Sequence, residues 1–327
     1  MFLRGQTIGK YRVLSHLGSG GFGSVYLAED TWIKKNVAIK VPHKQNLDFS
    51  DMLKEPRLLA SMSHPNIVTM LTAEKLDDVF FIVMEYVAGE TLEHMIVREG
   101  ALELSLALDY TCQMCNAVDH AHRAGVLHRD IRPGNMLVSE TGLLKVTDFG
   151  TSRFLEIAAH GTTVIGSPPY MAPEQFHGKA VFASDVYSVG ITMYQMVTGE
   201  LPYNTPAPAD IEKLMRGELV TAPRVKNSRL PRAINDIIMR ALAPDLTVRY
   251  QRAAALLEDL LAAHAPVGRR RTKGRRTAVG LDLIDANVAD IHSRLKARET
   301  PQARFCWQCR KPLHARTDRC PFCNEVQ

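Results

Sequence analysis

The chain has 327 residues, of which 46% are hydrophobic and 23% charged, and its formal net charge is +5. This length exceeds what one hydrophobic core usually organises, so we expect a large unit of two lobes plus a smaller unit. No apolar run approaches the roughly 18–20 residues of a membrane span, and the first residues lack the apolar core of a signal peptide, which excludes a transmembrane segment and favours a cytoplasmic location.

Positive charge and cysteine are both concentrated near the C-terminus. Residues 264–327 hold 14 Lys and Arg against 6 Asp and Glu, whereas residues 1–263 hold 26 against 29. Four of the six cysteines lie in the last 22 residues. In a cytosolic chain, such a cluster indicates a metal site in preference to disulfides.

Residues 11–87 predict a β-rich lobe. One helix is predicted within it at about Met52–Met62, and Pro56 inside that segment removes a backbone donor. Either this helix begins near Glu55 or it is kinked there, and we favour the shortened helix. Short runs rich in β-branched and aromatic residues predict strands at Ser24–Ala28, Val37–Val41, Ile67–Leu71 and Phe80–Glu85.

Residues 88–263 predict a helical lobe, so the fold class is α+β. Within residues 104–123, side chains recur at spacings of four and three, as on the buried face of a half-buried helix. Residues 184–198 are apolar almost all round, as expected of a helix in the centre of a lobe. Cys112 and Cys115 have no second pair nearby in sequence, and we expect them to be buried packing residues. The predicted buried face of the first helix consists of Ala107, Thr111, Met114, Val118 and Ala121.

Three further segments are predicted after residue 263. Residues 264–280 contain Pro266, several glycines and a run of arginines, which indicates a solvated basic linker. Residues 281–299 carry apolar side chains at spacings of three and four, with acidic residues early and basic residues late, which predicts a short amphipathic helix. Residues 304–325 contain the terminal cysteines.

A glycine-rich segment, Gly18-Ser-Gly-Gly-Phe-Gly23-Ser-Val25, lies near the N-terminus. Glycine lets backbone N–H groups approach phosphate oxygens without a Cβ in the way. A dinucleotide-binding fold would open a helix after the third glycine, but Val25–Ala28 is strand-like, so we expect a turn between two strands. Taken alone, the segment also fits a glycine-rich hairpin without a ligand.

Four more motifs follow in the order and at the spacing of protein kinases: Val37-Ala-Ile-Lys40, His128-Arg-Asp-Ile-Arg-Pro-Gly-Asn135, Asp148-Phe-Gly150 and Ala172-Pro-Glu174. On these motifs the chain resembles the eukaryotic-like Ser/Thr protein kinases of bacterial type. The resemblance implies a two-lobed protein kinase domain at 11–263, with an N-lobe at 11–87 and a C-lobe at 88–263. It also implies ATP and Mg²⁺ (or Mn²⁺) as cofactors and proteins as substrates.

The resemblance further implies roles for individual residues. Lys40 would bind the α- and β-phosphates of ATP and be held by Glu55. Asp148 and Asn135 would supply oxygen ligands to Mg²⁺, and Asp130 would accept or orient the proton of the attacking hydroxyl. Plain core packing explains the apolar members of the nucleotide-binding set equally well. That set is Leu17, Gly18, Gly20, Gly21, Gly23, Val25, Ala38, Lys40, Met84, Glu85, Val87 and Leu137.

Two features depart from the commonest kinase pattern. Arg132 stands where many Ser/Thr kinases carry lysine, and it keeps the positive charge near the γ-phosphate as a planar fork. An arginine at this position is similar to some tyrosine kinases, but Pro133 and Gly166–Glu174 favour the Ser/Thr class. Arg132 and Pro56 also leave open the alternative of a pseudokinase, a nucleotide-binding scaffold that acts through its tail.

Regulation by phosphorylation is also implied. In the family, an arginine at the position of Arg129 commonly contacts a phosphorylated activation loop through charge-assisted hydrogen bonds. Thr162 and Thr163 lie between Asp148 and Glu174 and are the predicted phosphosites. Autophosphorylation in this segment is therefore expected.

Two Cys-x-x-Cys pairs flank ten residues in the tail: Cys306, Cys309, Cys320 and Cys323. Four thiolates can surround one metal as a tetrahedron at about 2.3 Å, leaving no position for water, which predicts a structural Zn²⁺ in a zinc-ribbon-like module at 304–325. Redox thiols and iron are the alternatives. Aromatic residues alternate with basic ones here, a mixture that could also bind nucleic acid, but we favour a structural or protein-docking module.

Overall fold

The computed structural model describes residues 2–21, 23–43, 45, 53–60, 62–76, 78–149 and 166–264, and the backbone of 304–305 and 312–313. The chain divides into two compact units, Met1–Ala265 and Pro266–Gln327. The first unit contains a β-sheet lobe followed by a helical lobe, as predicted. No helix among the described residues is long and apolar enough to cross a membrane.

Six antiparallel strands form the N-terminal sheet in the order β1-β2-β3-β4-β6-β5. One face of the sheet buries a core that includes Tyr11, Tyr26, Ile39 and Phe81. The strands are β1 Thr7–Ile8, β2 Tyr11–Gly20, β3 Gly23–Asp30, β4 Lys35–Pro42, β5 Met70–Leu76 and β6 Val79–Glu85. Strands β2 and β3 pair up to Gly20 opposite Gly23, so the glycine-rich segment turns between two strands, as predicted.

The predicted strand Ile67–Leu71 is wrong over its first three residues, because β5 begins at Met70. Ile67 instead forms a parallel bridge with Val146, and Val68 N donates to Val146 O at 2.9 Å. Ile67 is buried, with 3% of its surface exposed. The apolar character of this segment therefore reflects packing beside Val146 and not pairing in the N-terminal sheet.

Helix α1 spans Lys54–Ala60, which is shorter than the predicted Met52–Met62. Arg57 N donates to Leu53 O at 3.0 Å, so Pro56 lies in the first turn, where helical N–H groups have no partner within the helix. The missing N–H of Pro56 therefore removes no helical hydrogen bond. The shortened helix is confirmed, and the kinked alternative is wrong.

The helical lobe contains a small second sheet and the remaining helices. This sheet has the strand order β7-β8-β9, formed by Gly89–Thr91, Met136–Ser139 and Leu144–Val146. The helices are α2 Leu92–Glu99, α3 Leu104–Arg123, α4 Phe182–Thr198, α5 Ile211–Met215, α6 Pro223–Lys226, α7 Arg232–Ala241 and α8 Ala253–His264. Single-turn 3₁₀ segments lie at Pro133–Asn135, Pro168–Tyr170, Pro173–His177 and Pro208–Asp210.

Helices α3 and α4 form the centre of this lobe. All five predicted core positions of α3 are buried, and so are Asp109 and Gln113 on other faces, because α3 packs against α4, α8 and β9. The helix is thus more deeply buried than its pattern predicted. Cys112 and Cys115 are free and buried, as predicted, and burial raises the pKa of Cys112 to about 12.

Candidate active site

Lys40 and Asp148 form an ion pair that joins the two lobes. Strand β4 carries Lys40, which is 6% exposed, and its Nζ donates to Asp148 Oδ1 at 2.6 Å. Burial is the largest single influence and acts to raise the pKa of Asp148, but Lys40, His128 and Arg132 together outweigh it, so the pKa lies below its usual value. Asp148 is therefore an ionised carboxylate at neutral pH. Glu55 lies in α1, but its side chain is outside the described residues, so the predicted Lys40–Glu55 pair stays a prediction.

Residues 128–135, the catalytic loop, connect α3 to β8 and carry Asp130 and Asn135. Asn135 Nδ2 donates to Asp130 O at 2.7 Å and to Asp130 Oδ2 at 2.9 Å. Ser167 N donates to Asp130 Oδ1 at 3.0 Å. Asp130 and Asn135 are both buried. The bonds from Asn135 and Ser167 fix the Asp130 carboxylate between the catalytic loop and the segment that contains Ser167.

Asn135 and Asp148 fit the ligand chemistry of a hard cation. The bonds to Asp130 use the side-chain nitrogen of Asn135, and no described residue donates to its side-chain oxygen, Oδ1. Carboxylate and amide oxygens are ligands that Mg²⁺ accepts while it keeps water and phosphate in its other positions. No cluster of three or more His, Cys, Asp or Glu side chains that could hold a metal occurs in the described part of the chain. The predicted protein ligands of Mg²⁺ at this site are therefore Asn135 and Asp148, and phosphate and water would occupy the other positions.

Asp185 of α4 anchors the catalytic loop through hydrogen bonds to the loop backbone. Its Oδ1 accepts from Arg129 N at 2.8 Å, and its Oδ2 accepts from His128 N at 2.9 Å and contacts His122 Nε2 at 2.8 Å. Burial is the largest single influence and acts to raise the pKa of Asp185, but His122 and His128 together outweigh it, so the pKa lies below its usual value. Arg129 adopts a φ of 66°, a left-handed conformation that this anchor helps to hold.

Glu174 and Arg249 form a buried ion pair within the helical lobe. Arg249 Nη1 lies 2.7 Å from Glu174 Oε1, and Nη2 lies 3.1 Å from Oε2, a two-pronged pair. The Arg249 side chain is fully enclosed and also donates to the carbonyls of Ala183, Ala243 and Pro244. The sequence analysis assigned no role to Asp185 or Arg249. A buried charge inside an apolar helix was the signal for Asp185.

The glycine-rich hairpin combines open and tight positions. A Cβ at Gly18, Gly20 or Gly21 would meet no atom within 4 Å, whereas one at Gly23 would lie 2.9 Å from Pro42 Cα. The hairpin therefore leaves open space over the first three glycines, as a phosphate-binding loop requires. Leu17 at its edge is 47% exposed.

The other predicted nucleotide contacts lie on β3, β4, β6 and β8 and in the connection after β6. Ala38 pairs with Met84 across β4 and β6, and Val25 pairs with Lys40 across β3 and β4. Ala38 is 8% exposed, and the remaining apolar side chains, Val25, Met84, Val87 and Leu137, are half-buried. Whether these side chains contact adenine stays a prediction.

Glu85 sits at the end of β6 with its side chain engaged. Its Oε1 accepts from Thr69 N at 2.7 Å and from Lys145 Nζ at 2.7 Å. These bonds tie the connection between the lobes to β9 and to the segment before β5. The Glu85 side chain is therefore structural, and the backbone of this segment is the part that remains for a nucleotide.

Arg132 lies between two carboxylates. Its Nη1 is 3.7 Å from Glu93 Oε1 and its Nε is 3.6 Å from Asp130 Oδ2. The guanidinium thus brings positive charge to the side of Asp130, and its place near the γ-phosphate stays a prediction. Several other predicted residues lie outside the described residues: Gly150, Thr162, Thr163, Cys306, Cys309, Cys320 and Cys323.

The fold and these motifs define the class of protein. A family model described as "Protein kinase domain" matches residues 11–264, and the chain belongs to this family. The two-lobed architecture agrees with a crystal structure of Rad53 residues 1–466 in complex with AMP-PNP. That structure aligns with a TM-score of 0.66 and 25% identity, over 76% of this chain and 64% of the chain in that crystal structure.

The chain is similar to several curated bacterial kinases. It is 36% identical over 264 residues to a probable serine/threonine-protein kinase of Clostridium perfringens, covering 78% of this chain and 38% of the relative. It is 35% identical to PrkC of Bacillus subtilis, covering 80% and 42%, and 32% identical to PknB of Mycobacterium tuberculosis, covering 78% and 43%. The chain thus spans about two fifths of the length of these relatives.

Proposed function

We propose that the protein is an ATP-dependent serine/threonine protein kinase. The observation that carries this proposal is one constellation: Lys40 paired with Asp148, and Asp130 fixed by Asn135. Relatives named serine/threonine-protein kinases support the same activity and substrate class. Phosphoryl transfer is mainly positioning and charge neutralisation, which is the chemistry that these four side chains offer.

In the proposed reaction, a substrate Ser or Thr oxygen attacks the γ-phosphorus of ATP. The bond to the β–γ bridging oxygen breaks, ADP leaves, and Asp130 takes the hydroxyl proton. Lys40 contacts the α- and β-phosphates, and Arg132 neutralises charge on the group in transfer. Mg²⁺ (or Mn²⁺), held by the oxygens of Asn135 and Asp148, supplies further neutralisation of the phosphates when bound.

The test is phosphorylation with radiolabelled ATP, followed by phosphoamino-acid analysis. We expect label on serine and threonine with the full chain and at least a hundredfold less, roughly, with Asp130→Asn, because the proton acceptor is lost. Asp78→Asn is the matched control, since the Asp78 side chain is 98% exposed and lies on the β5–β6 turn. Equal labelling of wild type and Asp130→Asn would refute the proposal.

The alternative, a nucleotide-binding scaffold without transfer, rests on Arg132 and Pro56. The geometry of neither residue supports the scaffold. Arg132 retains its charge beside Asp130, and Pro56 leaves α1 without a kink. ATP binding with no transfer in the same assay would favour the scaffold.

Activation by phosphorylation of Thr162 or Thr163 is a finer part of the proposal. Its support is the position of Arg129 directly before Asp130 and the identity of the two residues as threonines. Mass spectrometry of active protein is expected to find phosphate on one of them. Active protein with neither residue phosphorylated would contradict it.

The second unit is proposed to be a zinc-binding module that docks a protein partner. Strands β10 Arg304–Phe305 and β11 Pro312–Leu313 pair antiparallel and flank residues 306–311, which include the first Cys-x-x-Cys pair. This pairing and the cysteine spacing support a four-thiolate Zn²⁺ site at residues 304–325, after a basic linker (264–280) and an amphipathic helix (281–299). Elemental analysis of the full chain should give one zinc per chain, and none after Cys306→Ser with Cys320→Ser.

A further inference from the structure

Glu93 lies beside Arg132 of the candidate active site. It belongs to the first turn of α2, where a negative charge is favoured by the helix dipole. Thr91 Oγ1 caps this helix by accepting from His94 N at 3.2 Å. The cap fixes the start of α2, and the half-exposed Glu93 carboxylate lies 3.7 Å from Arg132 Nη1.

The Arg132 guanidinium is positioned by charge more than by hydrogen bonds. Its separations from Glu93 and Asp130 are those of ion pairs, and its buried Nε has no hydrogen-bond partner among the described residues. A group held in this way depends on the space around it. A small displacement therefore breaks no strong bond.

Gly134 provides that space. A Cβ on Gly134 would lie 2.5 Å from Arg132 Nη1, 3.0 Å from its Cζ and 3.0 Å from Glu93 Oε2. These atoms are the ends of flexible side chains, and no backbone atom is among the nearest neighbours. An added methyl group would therefore move the guanidinium and leave the loop backbone in place.

We propose that Glu93 and Gly134 are positioning residues that set where Arg132 stands beside Asp130. This inference rests on the proposed kinase activity and deepens it. Glu93 attracts the guanidinium from one side, and the missing side chain of Gly134 leaves it room. A displaced guanidinium no longer meets the phosphoryl group in transfer, so the chemical step slows while the contacts of the rest of ATP persist.

The size of the residue at 132 decides whether Gly134 matters. A lysine carries no planar fork at its end, so a methyl group on residue 134 has no guanidinium to displace. The cost of Gly134→Ala should thus depend on arginine at 132. This dependence separates positioning from a general effect on folding.

The experiment is a pair of double-mutant cycles on the full chain, with kcat and the KM for ATP measured on dephosphorylated casein as acceptor. Gly134→Ala is expected to lower kcat roughly tenfold, with the KM for ATP within about twofold. The same change in an Arg132→Lys background should alter kcat by less than about twofold. Glu93→Gln should lower kcat roughly threefold in wild type and leave kcat unchanged in an Arg132→Met background.

Glu99→Gln is the matched control, because Glu99 lies on the same helix and pairs with Arg98, 2.8 Å away. We expect it to change neither constant. Equal losses from Gly134→Ala with Arg or Lys at 132, or from Glu93→Gln with Arg or Met at 132, would overturn the positioning role and leave the kinase proposal intact. If Gly134→Ala fails to fold, the Glu93 cycle decides. Absence of transfer by the wild-type chain would overturn both proposals.

Discussion

The catalytic loop and the glycine-rich hairpin are both expected to contact ATP phosphates, but they are held in opposite ways. Asp185 supports the loop from a buried helix and engages two backbone N–H groups. Strands β2 and β3 of the hairpin pair with each other up to Gly20 and Gly23, and the space beside Gly18, Gly20 and Gly21 is open. The loop is thus positioned by buried charge, whereas the hairpin is positioned by its strands and leaves its tip free to adapt.

This difference has a physical reason. A general base and a metal ligand need fixed positions, and buried charge-assisted bonds are costly to break. A phosphate cradle needs backbone N–H groups and room for the ligand, and side chains above it would fill that room. The four predictions below test this contrast, beginning with the largest expected effect.

Asp185→Asn should remove the support of the loop. Asparagine replaces one acceptor oxygen by an NH₂ group, which would face a backbone donor or His122, so we expect a loss of roughly 4 kcal/mol in the free energy of unfolding. Urea denaturation measures this loss, with the surface variant Asp78→Asn as control. An unchanged midpoint would mean that the loop is not held by this carboxylate.

Arg249→Lys should weaken the buried ion pair between Arg249 and Glu174. Lysine keeps the charge but loses the two-pronged contact with Glu174 and the bonds to three carbonyls, so we expect a loss of roughly 3 kcal/mol. The comparison is Arg123→Lys, whose side chain is 67% exposed and pairs with Asp119 on the same helix. Thermal unfolding of both variants checks the difference, and equal shifts would contradict it.

Gly23→Ala and Gly20→Ala should separate the two ends of the hairpin tip. Gly23→Ala would press a methyl group against the backbone of Val41 and Pro42, at a cost of roughly 2 kcal/mol in stability. Gly20→Ala has open space and should leave stability unchanged while raising the KM for ATP. Chemical denaturation with ATP kinetics distinguishes them. Equal destabilisation would show that the tip is not open.

His64 lies in the segment before β5, which forms a bridge to Val146 of β9. Burial lowers the pKa of His64 to about 4, helped by the positive charge of His120, whose ring is 4.9 Å away. A depressed pKa contributes stability above the unfolded value of 6.5, which is lost as pH falls towards 4. Because the ring is partly hydrated, we expect a screened loss of about 1 kcal/mol over this window.

His64→Asn should flatten the stability profile between pH 6.5 and 4, because asparagine keeps an acceptor for Asn66 N but does not titrate. Denaturation at several pH values measures the slope. A variant with the wild-type slope would assign the acid sensitivity to other groups.

Local patterns predicted much of the fold and the chemistry. The glycine-rich hairpin, the core face of α3 and the residues Lys40, Asp130, Asn135 and Asp148 all follow from motifs or from helical spacing, which short stretches of sequence contain. The structure joins these four residues in two hydrogen-bonded pairs, Lys40 with Asp148 and Asp130 with Asn135. Their roles in catalysis stay proposals until the reaction is measured.

What the sequence did not predict depends on partners far apart in the chain. Asp185 lies more than 50 residues from the loop it supports, and Ile67 packs beside Val146, so neither contact leaves a local period. The place of Arg132 likewise depends on Glu93, which belongs to a different helix. A pattern within ten residues records which face is buried, but it does not record which buried charges meet.

Pro56 also affects the unfolded chain. The ring fixes φ of this residue near the helical value whether or not α1 is formed. The unfolded ensemble therefore has fewer conformations to gain, which favours a helix of seven residues that is too short to be stable alone. A residue known for breaking helices thus lowers the entropic cost of forming this one.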